Sequence, residues 1–296
     1  MKSSNFPLIQ YADSDNANML YFLKSFKISD PMILLHLSID EKILFVNELE
    51  IDRAKEQLDN IKIVKISNIK EQLLELLDSK VIYVDRTLPI KFAKFIEDLG
   101  YSIEISDYIE NLRLIKTQSE IEEIRRISSL TLSVFKDLNK YIKDNSLLSP
   151  AKIRAILHQN LYRQGLLAKS TIIAGGSEAS QPHNIGYADL TLDKPVVFDI
   201  FPCDINSGYY TDISRTIFLS PPNYKYTKYY DVLKSAQKLA ISSIKPGIKF
   251  IDIEKKVRKY LIAAGFETKQ GSDGRENGFF HSLGHGVGLE VHELPF

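Results

Sequence analysis

Pro195-Val-Val-Phe-Asp199, leading on to Gly208-Tyr-Tyr-Thr-Asp212-Ile-Ser-Arg215-Thr216, and then His281-Ser-Leu-Gly-His285-Gly-Val-Gly288-Leu-Glu-Val-His292-Glu293, decide how this chain reads. The first stretch has the length and the β-branched and aromatic content of two strands joined by a turn. Asp199 and Asp212 are separated by twelve residues, so symmetric pairing about Ile205-Asn206 would set them directly opposite each other on one face. Two carboxylates across a ladder repel, and bound cations are the usual compensation. In the second stretch His281, His285 and His292 fall at spacings of four and seven, but Gly284, Gly286 and Gly288 argue against a regular helix. Those glycines let the backbone approach a ligand or another element closely. Four of the six histidines lie between His183 and His292, the span that also holds the aspartates. Carboxylates and imidazoles together are the donors that hold hard divalent metals and polarise a carbonyl, which is hydrolase chemistry.

Working outward, a length of 296 residues favours two domains, each with chain enough for a core. Lys plus Arg and Asp plus Glu are 38 each, so the zero net charge gives no electrostatic reason to expect nucleic acid or an anionic membrane as partner. The opening Met1-Lys-Ser-Ser-Asn-Phe-Pro7 lacks the apolar core of a signal peptide, and no stretch approaches the ~20 apolar residues of a membrane span. A cytoplasmic protein is expected. One cysteine, Cys203, excludes an internal disulfide, and with no histidine in its hairpin it is read as a packing residue.

The first hundred-odd residues mix two periods, the mark of α/β structure. Strand-length runs at 32–38 and 42–47 predict a hairpin; helices over 52–60, 69–77 and 89–99 alternate with strands at 62–66, 81–85 and 101–105. His36 lies inside the first run and is read as structural. At Thr117-Gln-Ser-Glu120 a capping box opens a long helix. Its expected stripe is Ile121, Ile124, Ile127, Thr131, Val134, Leu138 and Tyr141, packing on the second domain. Ser149-Pro150 opens another helix, on which His158 is read as structural. Strands follow at 170–176, 195–201 and 209–219, then helices at 225–243 and 250–264, with Gly265 a left-handed stop.

These residues resemble the pita-bread metallopeptidases, the family of prolidase, aminopeptidase P, methionine aminopeptidase and creatinase. The resemblance rests on Asp199, on Gly208-Tyr-Tyr-Thr-Asp-Ile-Ser-Arg-Thr216 and on Gly284-His-Gly-Val-Gly-Leu-Glu-Val-His-Glu293. Tyr11-Ala-Asp13 and Asn18-Met-Leu-Tyr21 look like the start of the prolidase-type amino-terminal domain, and Arg113-Leu-Ile-Lys-Thr117 with Glu120-Ile-Glu-Glu-Ile-Arg125 like its junction with the catalytic domain. Methionine aminopeptidases generally lack that first domain, so the proline-specific branch is the nearer one. The resemblance implies an α/β (α+β) fold in two domains: a creatinase-like amino-terminal domain over 1–116 and a pita-bread catalytic domain over 117–296, incomplete at its carboxy end. It implies Asp199 as ligand of one metal, Asp212 as a bridging ligand and His285 as ligand of the other metal. His292 would stabilise the tetrahedral intermediate, His183 would help handle protons or substrate, His281 matches an active-site histidine, and Arg215 is read as a partner of the carboxylates.

The implied activity is hydrolysis of the bond before proline in short peptides by a hydroxide bridging two divalent metals. Mn, Co or Fe suit the donors best, with Zn compatible, and a homodimer is expected. The interval between the aspartates is longer than in the common pattern; one added residue per strand would preserve their facing. The family's two downstream glutamate ligands lie beyond Phe296, so the expectation is a piece of a longer peptidase that binds metal weakly as it stands. The competing expectation is a pita-bread module that binds peptides or proteins without hydrolysis. Creatinase-like chemistry without metal is disfavoured by the intact Asp199, Asp212 and His285.

Overall fold

The computed structural model describes residues 6–24, 26–146, 148–272, 274 and 276–295. Contacts divide the chain into two compact units. The first comprises Met1–Ile127, Cys203–Thr211 and Val287–Leu294; the second comprises Ser128–Pro202, Asp212–Gly286 and Pro295–Phe296.

In the first unit the elements run β1 (Leu8–Ala12), α1 (Ala17–Leu23), β2 (Met32–His36), β3 (Lys42–Val46), α2 (Ile51–Gln57), β4 (Lys62–Lys65), α3 (Ile69–Leu76), β5 (Val81–Val84), α4 (Ile90–Asp98), β6 (Ser102–Ile105) and α5 (Tyr108–Leu114). They build one six-stranded mixed sheet, ordered β4-β3-β2-β1-β5-β6. The expected hairpin is β2 and β3, antiparallel with Ile33 opposite Phe45. All five residues of β2 are buried, which its nearly unbroken apolar run anticipates, since both faces of the sheet are covered. Ile33 and Leu35 pack with Leu73 and Phe92 on one side, whereas Met32 and Leu34 pack with Met19, Leu23 and Ala54 on the other.

The helix α6 (Gln118–Asp144) begins at the capping box. Thr117 N–H donates to Glu120 Oε2 at 2.6 Å and Glu120 N–H donates to Thr117 Oγ1 at 3.4 Å. Of the expected stripe, Ile127, Thr131, Val134 and Leu138 are buried, but Ile121 and Tyr141 are 39% and 47% exposed. Ile142 takes the inner position instead, because a 3.6-residue period drifts off a fixed 3–4 alternation over so long a helix. The turns up to Ile127 belong to the first unit, so the stripe does not serve the second alone.

The second unit continues with α7 (Pro150–Arg163), β7 (Leu166–Leu167), β8 (Thr171–Gly175) and β9 (Pro195–Ile200); β10 (Cys203–Asp204) lies in the first unit, and β11 (Ile213–Phe218), α8 (Tyr224–Ser243), α9 (Phe250–Ala263), β12 (Lys269–Gln270) and β13 (Glu276–Asn277) complete the second. Pro150 sits in the first turn of α7 as anticipated, although the Ser149 hydroxyl makes no capping bond. His158, on α7, bonds Thr171 Oγ1 at 3.0 Å, a structural role. The sheet is antiparallel, with β9 between β8 and β11. Val196, Phe198 and Ile200 are buried, and Phe198 meets Phe135 edge to face at 5.3 Å. Helices α8 and α9 close on each other through Ala236, Val257 and Leu261, and Gly265 ends α9 with a φ of 88°. No described helix is long and apolar enough to cross a membrane.

Candidate active site

Asp199 lies on the half-exposed side of β9, between buried Phe198 and Ile200. The residue across from it is Ser214, whose hydroxyl donates to Asp199 Oδ1. Ile200 pairs with Ile213, the last pair of the ladder on this side. The expectation of directly opposed aspartates is therefore corrected. Asp199 pairs with Ser214, and Asp212 lies just before β11 begins.

The reason is the turn, which is fixed by side chains and not by symmetry about Ile205-Asn206. Asp204 Oδ1 accepts from the N–H groups of Asn206 and Ser207, each at 2.8 Å. Gly208 supplies a φ of 75° and donates to the Asp204 carbonyl at 2.9 Å. A Cβ at Gly208 would meet Leu20 Cδ2 at 2.3 Å, so neither conformation nor space admits a larger residue. These bonds centre the turn one residue later than expected. They also end the strand early: Tyr210 N–H goes to the Gly288 carbonyl at 2.7 Å, and β11 starts only at Ile213, not at Tyr209.

Asp212 and His285 are brought together. His285 Nε2 lies 3.3 Å from Asp212 Oδ2, and the two side chains are 24% and 23% exposed. His285 Nδ1 is 2.9 Å from the Gly286 carbonyl. A carbonyl only accepts, so Nδ1 carries the proton and Nε2 presents its lone pair toward the carboxylate, the orientation a metal-binding imidazole requires. His285 also borders a cavity of about 640 Å³ walled mainly by apolar residues of α8, α9 and the 279–286 segment.

The other histidines are placed differently. His183 is exposed in a turn following β8. His281 is exposed too, its ring 4.7 Å from that of Phe280 and its carbonyl accepting from Arg258 at 3.3 Å. His292 belongs to the first unit, in Val287–Leu294. Arg215 donates to the Ser214 carbonyl at 2.8 Å, and the Ser214 hydroxyl donates to the Asp199 carboxylate. Cys203 is buried, in keeping with packing.

The segments of the first unit that carry the motifs are pinned by ion pairs that the sequence did not announce. Glu293 is buried and bonded to both Arg113 and Lys116, the latter at 2.6 Å. Burial alone would raise its pKa, but the two cations outweigh it and hold the carboxyl below its ordinary range. Arg113 also reaches Glu290 at 2.6 Å and Asn18 Oδ1 at 2.5 Å. Asp204 is held ionised in the same way: burial pushes it up, while the Ser207 and Asn206 N–H groups and Arg126 bring it below the usual range. Tyr209 donates to Glu120 at 2.6 Å, tying the glycine-tyrosine motif to the start of α6. The available signal for these partners was the pair of cations in Arg113-Leu-Ile-Lys116 and a motif glutamate with no ligand role.

Comparison with known proteins agrees with this architecture. The Xaa-Pro dipeptidase of Pyrococcus horikoshii is 28% identical over 287 residues, 95% of this chain and 77% of the relative. An uncharacterized peptidase of Methanocaldococcus jannaschii is 30% identical over 283 residues, 94% of this chain and 74% of the relative. The prolidase structure from Pyrococcus furiosus superposes with a TM-score of 0.81 at 26% identity, covering 97% of this chain and 81% of that one. The sequence profile of metallopeptidase family M24 matches residues 122–296, more than half of the chain, and on that match the chain belongs to the M24, or pita-bread, metallopeptidases.

Proposed function

We propose that this M24 peptidase cleaves the peptide bond preceding proline, with divalent metal held by Asp212 and His285 and a second ligand position at Asp199. The observation that carries the reading is the Asp212–His285 pair. Two ligand bonds of ~2.1 Å meeting at tetrahedral to octahedral angles separate their donor atoms by ~3.0–3.4 Å, and the 3.3 Å found fits one shared ion. A carboxylate with an imidazole whose other nitrogen is already committed suits Mn, Co or Fe. When bound, the metal supplies Lewis acidity toward the scissile carbonyl and lowers the pKa of a coordinated water.

The chain's own groups do the rest. The Gly286 carbonyl fixes the His285 tautomer, and the Ser214 hydroxyl orients Asp199 through Oδ1. His292 would place its imidazole against the developing negative charge on the carbonyl oxygen, while His183 and His281 would serve substrate positioning and proton transfer. Proline's fixed φ and missing N–H allow selection by shape, because a pocket without an acceptor for that N–H penalises every other residue. The names of the Pyrococcus relatives support the proline preference.

The competing reading is a pita-bread fold that binds peptides without cleaving them. Hydrolysis of Ala-Pro, Ala-Pro-Ala and Met-Ala-Ser by the metal-loaded protein decides between them. The proposal expects cleavage before proline and none of Met-Ala-Ser. Release of methionine would move the protein to the methionine aminopeptidase branch, and binding of all three without cleavage would establish the alternative.

A further inference from the structure

Glu293 is the centre about which its own segment folds. Its Oε1 accepts the Glu290 N–H at 3.1 Å. A Cβ on Gly288 would lie 2.5 Å from its Oε2, so the turn closes on the carboxylate only because residue 288 is glycine. Behind it stands Arg113, 5% exposed, and behind Arg113 a buried polar chain crosses the amino-terminal sheet. Asn18 Oδ1 accepts from Arg113, and its Nδ2 donates to Glu110 at 3.0 Å and Asp85 at 3.4 Å. Gln10 donates to Asp85 at 3.3 Å and meets His36 at 2.9 Å.

A carboxylate this deep gives up its hydration and is tolerated only where its cations and N–H donors hold one geometry. Adjacent Cα atoms are a fixed ~3.8 Å apart, so what fixes Glu293 also fixes the backbone from which the His292 imidazole projects. Lys116 reinforces the same point, donating both to Glu293 and to the Arg113 carbonyl.

We propose that Arg113 and Lys116, acting through Glu293, are positioning residues for His292: the amino-terminal domain contributes the anchor that aims this imidazole. The inference rests on the role of His292 under the proposed function. It separates from a purely structural ion pair because a positioning effect must vanish when the imidazole is gone.

The test is a double-mutant cycle on Ala-Pro hydrolysis with Glu293→Gln, His292→Ala and the pair combined. Misplacement by about 1 Å costs on the order of 10²-fold, so Glu293→Gln is expected to lower kcat about 100-fold with KM nearly unchanged, and the double variant to be no slower than His292→Ala alone. Penalties that multiply in the double variant, or full activity in folded Glu293→Gln, would overturn the proposal. Lys116→Met leaves the Arg113–Glu293 pair in place and reads the same coupling more gently should Glu293→Gln fail to fold. A second readout needs no turnover: in histidine-labelled protein the His292 ring resonance, assigned by its loss in His292→Ala, should move in either anchor variant while those of His183 and His281 stay. An unmoved His292 resonance would refute positioning. Absence of Ala-Pro cleavage by the wild type, with that resonance moved, would instead fault the proposed reaction and keep the anchor.

Discussion

Protonation of His36 should make the amino-terminal domain acid-sensitive well above the range where carboxylates titrate. The ring is fully buried in β2, edge to face with Phe22 at 4.6 Å. Gln10 uses its amide nitrogen on Asp85 and so offers its oxygen to His36 Nε2, which must carry the proton. Nδ1 is left without a partner among the described residues. A second proton there would put an unpaired charge in the core, and burial, with a smaller contribution from Lys42, lowers the pKa from 6.5 to about 3. Because the folded value lies below the unfolded one, the neutral ring's contribution is complete above pH 6.5 and is lost as pH falls from 6.5 toward 3. The loss is about 1.4 kcal/mol per pH unit, or about 2 kcal/mol by pH 5. Urea unfolding followed by far-UV circular dichroism suits a chain without tryptophan. Between pH 7.5 and 5.0 the wild type should lose about 2 kcal/mol more than His36→Gln, the other buried groups cancelling between the two proteins. Equal losses would refute the assignment of a buried neutral imidazole.

Further consequences follow from the site and its supports. Gly186→Ala should destabilise the second unit by more than about 2 kcal/mol, since residue 186 has a φ of 85° and its Cβ would fall 1.8 Å from the Ile173 carbonyl oxygen; thermal melting measures it. Asp204→Ala should cost about 1–3 kcal/mol, visible as a lowered urea midpoint, because it removes the acceptor of two backbone N–H groups and one of the two carboxylates that Arg126 bonds. Mn²⁺ should raise the melting temperature of the wild type with increasing concentration and leave that of Asp212→Ala unchanged, as expected when an ion binds only the folded state.

Apolar runs and caps made the fold legible. The unbroken 32–36 strand, the Thr117–Glu120 box and Gly265 each declare themselves through one residue type in one local pattern. The register of the 195–218 hairpin was not legible, because it depends on where Asp204 and Gly208 close the turn, and symmetry gave an answer displaced by one residue. Asp212 and His285 are visible as motif residues, and their approach to 3.3 Å needed the fold. The Arg113–Glu293 anchor joins positions 180 apart in sequence, and nothing in either local pattern names the other.

Under the proposed function, Asp212 and His285 hold the metal on which peptide hydrolysis depends. Proline release from Ala-Pro, measured with Mn²⁺, with excess chelator and in His285→Ala, tests it most directly. Release is expected from the wild type with Mn²⁺ only, with a fall of at least about 10³-fold in both other arms, the order expected when charge stabilisation at the reacting carbonyl is removed. Proline release at the wild-type rate by His285→Ala, or undiminished by chelator, would contradict it.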